Sequence, residues 1–148
     1  MKRTVAFILL LTLILTMPAA AATSPRVRQV LAVAKRQLGT PYALFSNAPR
    51  TFNCATFVAY CYNKVARGTI TQKGIAVKHK KIKSIRKLKS GDILCFRLAN
   101  RQKGLLSQHY GIYIGQNRFV HASNVEKKVA VSSLNAYRKR FTGAIRIF

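Results

Sequence analysis

The chain has 148 residues, with 27 Lys+Arg against 2 Asp+Glu, 49% hydrophobic residues and a formal net charge of +25. That length accommodates one domain around one core. The hydrophobic content excludes a disordered basic tail, which would have too few apolar side chains to offset the entropy of ordering. Met1-Lys2-Arg3 opens the chain, followed by an uncharged apolar run from Val5 to Met17, then Pro18 and four alanines to Ala22. A basic start, a short apolar stretch and small residues before a cut form the pattern of a secretory signal. The run is 13 residues long, short of the ~20 that a membrane-spanning helix requires. Residues 1–22 are therefore predicted to be a cleaved signal and residues 23–148 the exported domain, with membrane contact only through the signal.

Removal of residues 1–22 takes away Lys2 and Arg3 and leaves 25 basic and 2 acidic residues, a charge of +23. Such a field draws a protein to polyanions: nucleic acid, acidic lipid or an anionic cell wall. Export makes nucleic acid the least favoured of these.

Ser24 and Pro25 read as an N-cap and first helical residue. Val27, Val30, Leu31, Ala34 and Leu38 follow at helical spacing, and Gly39 stops the helix. A loop from Thr40 to Asn53 precedes a second helix that begins at Cys54. Its apolar stripe is Phe57, Val58, Cys61 and Val65, its end is Gly68, and Asn53 is its N-cap. Residues 73–89 read as a basic connector, and Ser90-Gly91-Asp92 as a turn. Strands follow at Ile93–Leu98, Tyr110–Ile114, Arg118–Ala122, Val129–Val131 and Thr142–Ile147. Helices followed by a sheet predict a one-domain α+β fold.

Three cysteines cannot all pair within one chain. Cys61 on the helix stripe and Cys95 inside a strand read as buried thiols, although a disulfide between them is compatible with the sequence. Cys54 differs because it stands at a helix start, where unpaired N–H groups and the macrodipole lower a thiol pKa. His109 and His121 flank two strands joined at Gly115-Gln116-Asn117. With those three residues as the loop, Ile114 pairs with Arg118 and Gly111 with His121. Period-two alternation then sets His109, Gly111, Phe119 and His121 on one face, with Gly111 leaving a gap for a ring. A thiol with two histidines suits a nucleophile, its base and an orienting group. The same trio as zinc ligands would lack a carboxylate second shell. His79, within the lysine run, reads as a solvated side chain.

Gln37-Leu38-Gly39-Thr40-Pro41-Tyr42, Phe52-Asn53-Cys54-Ala55-Thr56-Phe57-Val58, Lys89-Ser90-Gly91-Asp92-Ile93, His109 to Gly115 and Phe119 to Ser123 resemble the NlpC-type cell-wall cysteine peptidases, as does the closing segment Tyr137 to Ile147. The resemblance spans nearly all of residues 23–148. It implies a papain-like α+β fold with helices packed on a compact antiparallel sheet. It also implies a secreted bacterial enzyme, needing no cofactor or metal, that hydrolyses peptidoglycan stem peptides at the D-γ-glutamyl to diamino-acid bond. By the same resemblance Cys54 is the nucleophile, His109 the base and His121 the orienting residue. Tyr42 would help the oxyanion site and Asn53 would lie in the substrate site. Asn53 stands where the family usually has aspartate, and Ala43 to Ala48 replaces a glycine-rich stretch; both departures bear on specificity. The chain is expected to act as a monomer held on anionic wall polymers by its basic surface. Two alternatives remain open: a CHAP-type amidase that cuts the muramoyl–alanine bond, and a non-catalytic cationic wall-binding module.

Overall fold

The computed structural model describes residues 23–71, 74–100 and 105–148, so the predicted signal segment 1–22 lies outside the described residues. Helix α1 covers Pro25–Arg36, with the Ser24 hydroxyl accepting from the Val27 N–H at 3.2 Å. Its buried residues Val27, Val30, Val33 and Ala34 fall on one stripe, as the 3.6-residue period requires. Helix α2 covers Cys54–Val65 and buries Phe57, Val58, Cys61 and Tyr62. It ends at Val65, with Ala66 as its C-cap, rather than continuing to Gly68. The first turn of α2 is fixed by Asn53. Its Oδ1 accepts from the Thr56 N–H at 2.9 Å, while Thr56 Oγ1 accepts from the Asn53 N–H at 3.0 Å. This reciprocal cap satisfies two donors that the helix geometry would otherwise leave open.

The region predicted as a basic connector is more structured than its composition implies. It carries a hairpin of β1 (Ile70–Thr71) and β2 (Gly74–Ile75) and an edge strand β3 (Lys80–Ile82). Strands β4 (Ile93–Asn100), β5 (Leu105–Gly115), β6 (Arg118–Ser123), β7 (Lys128–Ser133) and β8 (Phe141–Arg146) complete the main sheet. Its order is β3-β8-β4-β5-β6-β7, antiparallel throughout. A short helix α3 (Leu134–Tyr137) and a 3-10 turn (Arg138–Arg140) link β7 to β8.

Both faces of this sheet are packed. Ile93, Ile112 and Val120 join α1 and α2 in one core, whereas their sequence neighbours Leu94 and Phe119 join Ile82, Phe96, Leu134 and Ala144 in the other. Alternation of side chains along each strand feeds the two cores from the same strands. Between the connector and the last strand, Asp92 is 1% exposed and Arg146 holds both its carboxylate oxygens at 2.7 Å. The same carboxylate accepts from the Lys89 N–H at 2.8 Å, and Arg146 donates to the Lys87 carbonyl at 2.9 Å. Tyr62 of α2 donates its hydroxyl proton to the Gly91 carbonyl, which ties the helix to this corner.

Candidate active site

The hairpin between β5 and β6 sets the geometry of the histidines. Gln116 and Asn117 both adopt positive φ, at 50° and 59°, and turn the chain in two residues. Gly115 pairs with Arg118, so the expected Ile114–Arg118 pair does not form; the register then shifts at Ile114. That bulge adds back the residue lost from the loop, so Tyr113↔Phe119 and Ile112↔Val120 keep the alignment of a three-residue loop. The β5–β6 ladder ends at Ile112 and Val120, one pair short of Gly111 and His121.

Just past the end of the ladder the two imidazoles meet. His109 Nε2 and His121 Nδ1 are 2.6 Å apart, with rings 4.8 Å between centroids and 85° between planes. Two ring nitrogens this close form a hydrogen bond and leave no room for a zinc ion between them. Tyr137 stacks on His109 at 6.3 Å and stands edge-on to His121 at 5.6 Å. Phe119 packs on His121 at 4.7 Å, and Phe96 lies 6.2 Å from His109. In this aromatic box, burial pulls the His109 pKa down to about 4. Burial and the His109 neighbour pull His121 to about 3. Both rings are neutral at pH 7. The space beside Gly111, expected to receive a histidine ring, holds Phe119 instead: a β-carbon at Gly111 would lie 2.5 Å from Phe119 Cδ2. His121 therefore leans on Phe119 rather than on Gly111.

Cys54 enters from α2. Backbone N–H groups of Tyr110, Ala55 and Cys54 itself lie around its sulfur and favour the thiolate. Burial opposes them and is the larger effect, so the thiol is raised rather than lowered. The helix-start argument is thus corrected: the N–H groups act in the expected direction, but desolvation outweighs them. Tyr42 stands close enough for the Cys54 charge to raise its phenol further after burial. Its main chain is fixed by an N–H donated to the Lys127 carbonyl at 2.9 Å and a bridge to Phe52. Asn53 uses its Oδ1 for the α2 cap and donates Nδ2–H to the Leu44 carbonyl at 3.0 Å, so both ends of its side chain are engaged. Cys61 is buried, its thiol pushed up to about 12, and Cys95 is half-buried; all three thiols are free.

Some residues at the site are absent from the sequence reading. Ser132 Oγ lies 2.8 Å from His121 Nε2, on the far side of the ring from His109. The predicted strand ended at Val131, two residues short. Tyr137 was noted only within a resembling segment. A cleft of about 480 Å³ adjoins Cys54 through Ala55 and Tyr110; Val58, Ile70 and Ile75 also line it, and His79, expected to be solvated, stands on its rim.

A helix-start thiol, a hydrogen-bonded imidazole pair and a tyrosine gathered at one end of an antiparallel sheet define an α+β thiol–imidazole domain. Residues 39–146 match the NlpC/P60 family, and the chain belongs to that family. It is 33% identical over 126 residues to the probable peptidoglycan endopeptidase LytE of Bacillus subtilis, covering 84% of this chain and 35% of that protein. It is 32% identical to the murein DD-endopeptidase/LD-carboxypeptidase MepS of Escherichia coli K12, covering 74% of this chain and 56% of that one. The chain thus spans between about a third and somewhat over half of these relatives. Among solved structures, the NlpC/p60 domain of the peptidoglycan hydrolase SagA superposes with a TM-score of 0.62 at 25% identity, covering 82% of this chain and 98% of that one. An NLP/P60 family protein from Staphylococcus aureus gives 0.68 at 20% identity, covering 86% and 43%.

Proposed function

We propose that this chain is an exported cysteine hydrolase of peptidoglycan stem peptides, with residues 1–22 as its export signal. The observation that carries the reading is the 2.6 Å contact of His121 with His109, on a strand whose Tyr110 N–H favours the thiolate of the helix-start Cys54. LytE is named a peptidoglycan endopeptidase and MepS a murein DD-endopeptidase, which supports a wall-peptide substrate.

The neutral resting state of both imidazoles dictates the proton path. Cys54 attacks the amide carbonyl as a thiol, and its proton passes to His109 as the C–S bond forms. Nε2 of His109 faces His121, so Nδ1 is the nitrogen that takes this proton. The resulting imidazolium donates through Nε2 to Nδ1 of His121, which holds the ring in place. The oxyanion is met by the Cys54 backbone N–H and the Tyr42 hydroxyl. His109 then protonates the leaving amine as the C–N bond breaks. Water, deprotonated by His109, cleaves the thioester and regenerates the thiol. Asn53 contributes as a positioning residue for the α2 start and for the loop through Leu44.

The bond we assign is the D-γ-glutamyl to diamino-acid amide. Digestion of purified peptidoglycan by the wild type and by Cys54→Ala, with the fragments assigned by mass spectrometry, tests the reading. New amino termini on the diamino acid are expected from the wild type alone. Release of intact stem peptides from muramic acid would make the chain an amidase instead, and no release by either protein would leave a wall-binding module.

A further inference from the structure

We propose that the groove at the β3 edge of the sheet binds a linear polyol-phosphate polymer. The groove has a volume of about 510 Å³ and is lined by Lys80, Lys81, Lys83, Lys87, Lys89 and Arg146. No acidic side chain lines it, and Asp92, 1% exposed, is matched by Arg146. The other acidic residue of the chain, Glu126, lies in the turn between β6 and β7, at the opposite edge of the sheet. Five lysines therefore line one groove whose lining includes no acidic side chain.

The backbone beneath them is fixed. The carbonyl of Lys87 accepts from Arg146, and the N–H of Lys89 donates to Asp92. Lys80 and Lys81 are held by pairing of β3 with Arg146 and Ile145 of β8. Only the side chains need ordering when a ligand binds, which limits the entropic cost.

The chemistry of the lining selects the ligand. Carboxylate polymers are best recognised by the guanidinium fork, and the single guanidinium here is occupied by Asp92. Ammonium groups act as point charges suited to phosphate oxygens. No aromatic ring lines the groove, so nucleic-acid bases find no stacking platform. The site is concave, which admits a thread-like chain rather than a flat bilayer. Lys81, in β3, and Lys83, just past its end, are two residues apart, a spacing that an extended chain with regularly spaced phosphodiesters can follow. The imidazole pair lies on β5 and β6, three strands away, whereas the cleft beside Cys54 reaches His79, the neighbour of Lys80.

The test uses the inactive Cys54→Ala chain, so that binding does not depend on the hydrolase reading. A labelled poly(glycerol phosphate) is titrated against the groove variant Lys81→Gln/Lys83→Gln/Lys87→Gln and against a control, Lys35→Gln/Arg36→Gln/Arg67→Gln, with the same net charge. In about 0.1 M salt the groove variant should lose about tenfold or more in affinity and the control less than about threefold, and the slope of log Kd against log[salt] should fall by about 2 in the groove variant alone. Equal losses in the two variants would overturn the proposal in favour of a diffuse charge effect. Equally tight, equally groove-dependent binding of an oligothymidylate with the same number of phosphates would overturn the ligand assignment. So would groove-dependent binding to phosphatidylglycerol vesicles with none to the free polymer.

We further infer that Ser132 is a positioning residue for the imidazole pair, an inference that rests on the hydrolase reading for its kinetic arm. For His109 to donate through Nε2, Nδ1 of His121 must carry no proton. His121 then bears its proton on Nε2, where Ser132 Oγ accepts it at 2.8 Å. In Ser132→Ala, kcat should fall about tenfold with KM unchanged, as loss of one neutral hydrogen bond implies. Ser132→Thr, which keeps the hydroxyl, should restore most of the activity. Nitrogen-15 NMR of the histidine rings should report the Nε2–H tautomer of His121 in the wild type and a mixture of tautomers in Ser132→Ala, whether or not the chain hydrolyses peptide. An unchanged tautomer in the alanine variant, or equal impairment by alanine and threonine, would overturn the role.

Discussion

His109 and His121 share a hydrogen bond of 2.6 Å inside a box of Phe96, Phe119 and Tyr137. The rings are neutral because charging either one would place a cation among aromatic carbons away from water. Their folded-state pKa values of about 4 and about 3 lie below the ordinary histidine value, so the unfolded chain binds protons that the folded chain refuses.

The pH dependence of stability follows from that difference. The contribution is complete above the unfolded pKa of about 6.5 and is lost as pH falls toward 4, at about 1.4 kcal/mol per pH unit for each ring in that window. Urea unfolding midpoints should drop steadily from pH 7 to pH 4, and the slope should flatten in His109→Gln/His121→Gln. A pH-independent midpoint in the wild type would refute the burial argument.

Cys54 is predicted to react as a thiol in the resting protein rather than as half of a preformed ion pair. Its alkylation by iodoacetamide should accelerate continuously from pH 6 through 9, because burial holds the thiol above its ordinary range. A rate plateau reaching down to pH 5 would signal a thiolate–imidazolium pair and contradict this view. Cys61, buried with its thiol at about 12, should stay unlabelled until the protein unfolds. Cys54→Ala should abolish hydrolysis, whereas Cys61→Ala and Cys95→Ala should cost on the order of 1–3 kcal/mol of stability and leave turnover per folded molecule intact.

Gly111 is the backbone position on which the His121 support depends. A methyl group there meets Phe119 Cδ2 at 2.5 Å and the Val120 carbonyl at 3.1 Å, so Phe119 must shift and His121 loses the ring it leans on. Gly111→Ala should destabilise the fold by about 1–3 kcal/mol, as overpacking does, and should lower kcat more than it changes KM. Wild-type turnover in a folded Gly111→Ala protein would detach Phe119 from the function of His121.

At Asn53 the cap and the loop ask for different things. Aspartate caps a helix as well as asparagine does, but it cannot donate to the Leu44 carbonyl as Asn53 Nδ2 does at 3.0 Å. Asn53→Asp should keep α2 intact and weaken the fold by roughly 1 kcal/mol through the lost donor. It should also create a preference for stem peptides with a free amino end over their N-acetylated forms, measured as a ratio of kcat/KM. The same ratio in both proteins would remove Asn53 from selectivity.

The imidazole contact was legible because strand alternation survives a wrong loop length: Ile114 bulges, and the faces realign two residues later. The connector is harder to read because Ile75-Ala76-Val77 is a short apolar run and Ile82 stands alone among lysines, yet Ile75 and Ile82 each close a side of the fold. An edge strand needs a buried residue on one face only, so Ile82 suffices for β3. The direction of the Cys54 shift depends on how deeply α2 sinks its first residue, which no local motif encodes. Ser132 is hidden by a strand boundary placed two residues early, at Val131 rather than Ser133.

The segment Gly39–Tyr42 lies along the outer side of β7. Gly39 donates to Val129, Val129 to Thr40, and Tyr42 to Lys127, each at 2.8–2.9 Å. Lys127–Val129, at the entry to the last strand, are therefore paired by their own chain, while the first strand presents Lys80 and Lys81. Part of one border is thus closed and the other is charged, which shortens the uncharged backbone on which a second molecule could add a strand. A protein crowded onto a polymer surface would meet its own copies at high local concentration, and this closure keeps such crowding from seeding cross-β aggregates.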